Sequence, residues 1–269
     1  MILDLELNAA TTDWSHLRET AVAAEEAGVG AVWVFDHLSG AVLEGDRMLE
    51  CFTLLGALAA STTSIGIGSM VVNVANRHPG VLATAAASVQ AISAGRFLLG
   101  IGAGAAPGST WSREHDAIGL PLRPLMADRH AAVDDTLDLL DALWSVDRDP
   151  EHAGFPIADP RPPIIMGVSS EPLAMLAGRR CDGINVRAEH ANAPDLLAAA
   201  RAARAEADPA GVRPWTVTAS IFFDEGLFDP EHPERLRMAA LGVDRLVIVC
   251  LQPPEPDLFS RAGRSWQAT

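Results

Sequence analysis

Histidine changes charge nearest neutral pH, so a His where a strand opens into a loop is the natural place to look for proton chemistry. Asp36-His37 stands at the end of the apolar run Ala31–Asp36. There His37 can donate a hydrogen bond to a bound group or carry a proton. The alternative reading has Asp36 capping a helix and His37 packed in a loop. A second constellation is Gly167-Val168-Ser169-Ser170, followed by Glu171-Pro172 at a helix start. Free N–H groups and the positive end of a helix dipole favour an anion, as in a phosphate cradle. Glu171 would repel a phosphate unless it points away, and a plain N-cap by Ser170 accounts for the same residues. Ala103-Gly104 offers a ligand close backbone access. Arg179, Arg180 and Arg187 are candidate partners for carboxylates or phosphate, or a solvated face. His78 either approaches a bound ligand or caps its loop, and Trp111, Arg113, Glu114 and His115 are candidate pocket lining with no individual role.

Each constellation needs an element to hold it. Ser64–Val72 is a short apolar run without a polar face, as a strand buried on both sides requires. Pro79 opens an Ala-rich helix to Ser93, Gly95 stops it, and Arg96–Gly104 is a second buried strand. The same alternation precedes and follows: strand Ile2–Asn8, helix Trp14–Ala27 stopped by Gly28, strand Ala31–Asp36 and helix Cys51–Ala60. After a long polar excursion, Ala105–Met126, come helix Ala127–Trp144 and a Pro-rich connection, Asp147–Pro163. Strand Ile164–Val168, helix Glu171–Arg180, strand Gly183–Val186 and helix Ala193–Ala207 follow. Strand Trp215–Phe223, a helix near Glu234–Leu241, strand Arg245–Cys250 and a weak terminal helix Asp257–Trp266 complete the series.

Eight strands, each followed by a helix or helical turn, predict a (β/α)8 barrel in the α/β class, with a doubly wound sheet as the alternative. The whole chain, 1–269, reads as one domain, with Pro150–Pro163 a trimmed loop inside it. In such a barrel chemistry sits where strands end. Those ends are Asn8, Asp36-His37, Asn73 to His78, Ala103-Gly104, Gly167 to Ser170 and Asn185 to Arg187.

Composition removes several alternatives. The chain has no Tyr, and all its basic residues are Arg, so Schiff-base chemistry, lysine-bound pyridoxal phosphate and a Tyr general acid are excluded. A net charge of −15 argues against a nucleic-acid partner. No apolar run approaches a membrane span, so no membrane partner is expected. Asp4 and Glu6 stand where a signal peptide would be basic, and Cys51, Cys181 and Cys250 are few and widely spaced. A cytoplasmic chain is therefore expected. A metal-dependent hydrolase is a poor fit, because Asn8 ends the first strand and no His-x-His follows it.

Arg77, Pro79, the Ser93-x-Gly95-Arg96 turn and the Leu-Gly-Ile-Gly-Ala-Gly ending at Gly104 resemble the bacterial luciferase-like superfamily. Within it the chain is most similar to oxidoreductases that use the deazaflavin coenzyme F-420. The resemblance runs from Met1 to about Trp144 and returns at Pro162–Val186. It implies a barrel, homodimeric in the family's manner, that binds a deazaflavin and a small-molecule substrate.

The resemblance also implies roles. Asp36 and His37 would face the cofactor, with His37 catalytic. Ser69-Met70 would carry a non-proline cis peptide beneath the ring, and Ala103-Gly104 would meet its edge. Gly167, Val168, Ser169 and Ser170 would cradle phosphate, although Val168 stands where the family usually has a second Gly. Sugar-phosphate dehydrogenases of this kind carry a Glu just after the Gly104 position and a Trp shortly after the Asp-His. Ala105 and Ala41 stand there instead, so a glucose-6-phosphate-type substrate is not expected. Hydride transfer with F-420 is the leading expectation, and an FMN-dependent monooxygenase is the runner-up. A flavin-binding barrel without turnover is the third reading.

Overall fold

An apolar strand can be buried on both faces along its whole length only if its sheet has no open edge. The computed structural model of the chain, which describes residues 1–262, closes the sheet completely. Strands β1 (Ile2–Leu7), β2 (Ala31–Val34), β3 (Gly66–Asn73), β4 (Phe97–Gly102), β5 (Ile164–Gly167), β6 (Gly183–Arg187), β7 (Thr216–Phe222) and β8 (Arg245–Cys250) run in sequence order around the barrel. Every pairing is parallel, and β8 returns to β1 in register from Ile2↔Arg245 to Leu7↔Cys250. Closure discards the doubly wound alternative, which leaves two edges.

The outer layer comprises α1 (Trp14–Ala27), α2 (Cys51–Ser61), α3 (Pro79–Ile92), α4 (Arg113–Ile118), α5 (Met126–Trp144), α6 (Glu171–Arg180), α7 (Ala193–Ala207), α8 (Pro233–Ala240) and α9 (Asp257–Ala262). Local chemistry sets their ends. The Asp13 carboxylate accepts from His16 N to start α1, and Gly28, at φ 87°, ends it. His78 accepts from Gly80 N at the start of α3, which answers its reading as a cap. Arg96 explains the turn that contains it: its guanidinium donates to the carbonyls of Ser93, Ala59, Thr62 and Ile65, tying the end of α2 to the entry of β3.

Two expectations change. The excursion Ala105–Met126 is not bare loop, since it folds a 3-10 turn at Thr110–Ser112 and then α4. Strand β2 stops at Val34, which leaves Asp36 and His37 on the loop beyond it. The rest of the expected terminal helix, residues 263–266, lies outside the described residues.

Most of the core lies between barrel and helices, while Ala31, Trp33, Met70, Ile165 and Val247 fill the barrel interior. At the N-terminal end of that interior Asp4 accepts from Arg245 Nε and Nη2, both at 2.8 Å, and from Trp33 Nε1 at 3.0 Å. This buried ion pair closes the bottom of the barrel and leaves the other end open.

Candidate functional site

The C-terminal strand ends surround a cavity of about 670 Å³. Its floor is made by β3. The ladder between β3 and β4 slips between Ser69 and Val72, and the peptide between Met70 and Val71 is cis. The expected cis bond at Ser69-Met70 is therefore one peptide further on. Ser69 is fully buried, with its hydroxyl donating to Gly100 O at 3.0 Å, so it does not border the cavity. Met70 and Val71 do. The half-buried Val71 side chain fills the space above two glycines: a Cβ at Gly102 would stand 2.6 Å from Val71 Cγ2, and one at Gly167 would stand 2.9 Å from Val71 Cγ1. The glycines at these strand ends thus make room for an apolar platform. Gly104, at φ 72°, leads the chain away past the Asn73 side chain, and Ala103 and Gly104 both line the cavity.

Asp36 and His37 stand on one wall, and the structure separates their roles. The Asp36 carboxylate, 1% exposed, accepts from Arg77 Nη1 at 2.8 Å and Nη2 at 2.6 Å, and from Asn73 N at 2.9 Å. Burial pushes this carboxyl above its ordinary value, and Arg77 pulls against that shift. With both oxygens engaged, the Asp36 carboxylate ties down the loop after β3, while the residue still lines the cavity as expected of it. Asn76 reinforces the link by donating to Asp36 O at 2.9 Å.

His37 is held from a segment 77 residues away. Its Nδ1 lies 2.9 Å from Glu114 Oε1, and Glu114 Oε2 accepts from Leu38 N at 2.8 Å and Ser39 N at 3.0 Å. Burial opposes ionisation of Glu114, but His37 and the two backbone N–H groups outweigh it and leave the carboxyl below its ordinary value. Trp111 stacks on the imidazole, with centroids 5.5 Å apart and planes at 27°. Although positions 41 and 105 carry alanine, His37 still meets a tryptophan and a glutamate, both from the segment after β4. His115, fully buried beside Glu114, places Nε2 2.8 Å from Asn76 Oδ1 and 3.2 Å from Asn73 Nδ2.

Opposite this wall, Gly167, Val168, Ser169 and Ser170 line the cavity at the start of α6. Ser170 makes no side-chain cap bond; its hydroxyl lies 3.5 Å from His130 Nε2, and Glu171 is exposed. Arg129, His130 and Arg187 border the same region. Arg129 donates to the carbonyls of Arg123 and Pro124, and among the described residues no carboxylate pairs with it. Arg187 lies over the Phe222 ring, 5.6 Å from its centroid. Arg179 is not in the cavity lining, and Arg180 is spent on Asp134, Asp138 and Asp141 of α5. In a chain of net charge −15, this end of the cavity concentrates cationic and hydrogen-bond-donating groups.

Nothing in the sequence pattern singles out Val71, Arg129 or His130, and a fourth residue, Glu6, is also absent from the expected site. Glu6, on β1 and 2% exposed, lines the cavity with Oε1 unpartnered among the described residues. Burial pushes its carboxyl well above its ordinary value. An acidic residue inside an apolar strand was the available signal, since a Glu on a buried strand face is rarely structural.

The cavity suits a flat group with an anionic tail: an apolar platform of Val71 and Met70 in the middle, His37 at one wall and Arg129, His130 and Arg187 at the other. No group of three or more His, Cys, Asp or Glu among the described residues could hold a metal ion. No helix among them is long and apolar enough to cross a membrane.

The profile of a family described as luciferase-like monooxygenase matches residues 3–226. An F-420-dependent glucose-6-phosphate dehydrogenase of Nakamurella multipartita is 32% identical over 179 residues, covering 63% of this chain and 51% of that protein. An F-420-dependent hydroxymycolic acid dehydrogenase of Mycobacterium tuberculosis is 32% identical over 256 residues, 91% of this chain and 67% of that protein. The chain thus spans about half the length of the glucose-6-phosphate dehydrogenases it matches. Among solved structures, an F-420-dependent secondary alcohol dehydrogenase in complex with an F-420-acetone adduct superposes with a TM-score of 0.78 at 16% identity, covering 99% of each chain, which shows a shared fold.

Proposed function

We propose, on the premise that this chain belongs to the luciferase-like monooxygenase family, that it is a coenzyme F-420-dependent oxidoreductase acting on a small organic substrate. The observation that carries the reading is the pairing, in one cavity, of an anchored histidine with an apolar platform and a cationic far wall. The coenzyme is taken from the named relatives: both the glucose-6-phosphate dehydrogenase and the hydroxymycolic acid dehydrogenase are F-420-dependent.

When bound, the coenzyme supplies a two-electron hydride carrier, and the protein supplies position and electrostatics. Val71 and Met70 would support the ring, with Ala103 and Gly104 at its edge. Ser169, Ser170, Arg129 and Arg187 would hold the anionic tail. His37 borders the remaining space and holds or releases a proton at the substrate. Glu6, whose ionisation burial opposes, would offer a hydrogen-bond donor from β1 when protonated. Glucose 6-phosphate is not carried over from the relatives, because Ala41 and Ala105 replace the residues associated with it. A homodimer belongs to the same reading. Exposed Val81 and Ile92 on α3 are in keeping with it, and light scattering of the purified protein checks it.

The test is a fluorescence titration with F-420 and, separately, with FMN. Binding of F-420, weakened at least tenfold by replacing Arg129 and Arg187 together with Gln, is the expected result. Preference for FMN would move the reading to oxygen chemistry. Binding of F-420 without turnover on any alcohol, aldehyde or activated alkene would leave a carrier barrel.

A further inference from the structure

We infer that Glu114 is the positioning residue of His37: it decides which ring nitrogen carries the proton, and so presents Nε2 to the cavity as a hydrogen-bond acceptor. An ionised carboxylate has no hydrogen to give. Both Glu114 oxygens are occupied by donors, Oε2 by the N–H groups of Leu38 and Ser39 and Oε1 by His37 Nδ1. A neutral His37 therefore keeps its proton on Nδ1. Its Nε2 has no partner among the described residues and is not one of their buried, unsatisfied atoms, so the lone pair is open to the cavity that His37 lines. Asp36 does not compete, being engaged by Arg77 and Asn73 N. His115 approaches the same Glu114 oxygen through Nδ1 only to 4.0 Å, beyond hydrogen-bond reach. Free imidazole has no such constraint, so the choice of nitrogen is a property of this cage.

The consequence, which rests on the function proposed above, is that Glu114 decides whether His37 can act as a base at all. With Nε2 bare, a substrate hydroxyl would give its proton to Nε2, and the hydrogen on the same carbon would leave with its electron pair to an oxidised coenzyme as C–O becomes C=O. With the proton on Nε2 instead, neutral His37 would have no lone pair to offer there.

The cage also dictates a sharp substitution. In Glu114→Gln one side-chain oxygen must still accept from the Leu38 and Ser39 N–H groups, because an amide NH2 cannot. The amide nitrogen then falls on His37 Nδ1 and donates to it, which drives the ring proton to Nε2. The shape of the site is kept and the polarity of Nε2 is reversed. The experiment is nitrogen NMR of the full-length protein with 15N-labelled histidine rings at a pH where His37 is neutral, its signals assigned by their loss in His37→Asn. The wild type is expected to show the proton on Nδ1, Glu114→Gln the proton on Nε2, and Glu114→Ala a mixture. Oxidation of hydroxyl substrates in Glu114→Gln should fall about a hundredfold in kcat, the scale of a lost general base, with F-420 affinity unchanged. A wild-type proton on Nε2, or a tautomer unmoved by Glu114→Gln, overturns the inference. Turnover confined to substrates lacking a hydroxyl overturns the role of Nε2 as the proton acceptor. If F-420 does not bind at all, the function proposed above fails, while the expected tautomers would still establish the role of Glu114.

Discussion

Replacing Arg77 with Met tests whether Asp36 is held by charge or merely by packing. The substitution removes two hydrogen bonds, at 2.8 and 2.6 Å, and leaves a carboxylate of 1% exposure with only the Asn73 N–H. Breaking one side of a buried ion pair costs about 3–5 kcal/mol, because the other charge stays buried and unpaired. Protonation sets a ceiling on that cost. A carboxyl with an unfolded pKa near 3.9 can take up a proton for about 4 kcal/mol at pH 7 and about 1.5 kcal/mol at pH 5. Arg77→Met should therefore lose about 3–4 kcal/mol at pH 7, or roughly 6–12 °C in Tm for a chain of this size, and much less at pH 5.

The sign follows from linkage. In the variant the folded-state pKa of Asp36 lies above its unfolded value, so stability is full below about pH 4 and declines as pH rises towards the folded value. Adding Asp36→Asn should recover about 2–3 kcal/mol at pH 7, because no charge remains to strand. Urea unfolding of the wild type, both single variants and the double variant at pH 5 and pH 7 completes the cycle. A loss below about 1 kcal/mol, a loss independent of pH, or strict additivity of the two substitutions would refute the ion-pair argument.

Two further outcomes follow from other carboxylates. Burial raises the Glu6 carboxyl well above its ordinary value, so the folded state holds a proton to higher pH than the unfolded chain, which releases it above about pH 4.5, and wild-type stability declines as pH rises. Glu6→Gln cannot titrate; its stability relative to wild type should increase by up to about 1.4 kcal/mol per pH unit above that point, read by urea unfolding at pH 5 and 7. A gap that does not change with pH would mean that Glu6 ionises in place. Glu25 is the opposite case. Partial burial pushes its carboxyl up, but Oε1 accepts from the N–H groups of Ser64, Ile65 and Thr63, and these outweigh it and lower the carboxyl to about 2. Because that burial is slight, the group contributes about 1 kcal/mol, which is present above about pH 4.5 and lost as pH falls towards 2. Glu25→Gln should be about 1 kcal/mol less stable at pH 7 and equal to wild type near pH 2. An equal deficit at both pH values would show that the contribution is not electrostatic.

What the sequence made legible, and what it hid, divides along a physical line. Strand and helix positions depend on periodicity and on caps, both local, and the expected elements fall within two residues of those observed at nearly every end: β8 is Arg245–Cys250 in both, and α7 is Ala193–Ala207 in both. The strand ends in turn bring His37, Ala103, Gly104 and Gly167 to Ser170 to one cavity, because parallel closure leaves them no other place. The site's polarity depends on contacts that no local pattern carries. Glu114 sits 77 positions from His37, in a segment whose composition reads as loop, and its side chain is aimed only once α4 forms. Arg77 and Asp36 are 41 apart, and which of them meets a ligand turns on the loop after β3 folding back across β2. A barrel determines where its strand ends go; the loops then determine which lone pair faces the substrate. In this chain that second decision belongs to the excursion after β4. It brings Glu114 to one nitrogen of His37 and Trp111 to its face, and exchanging this segment between barrels should change the proton chemistry while leaving the strands as they are.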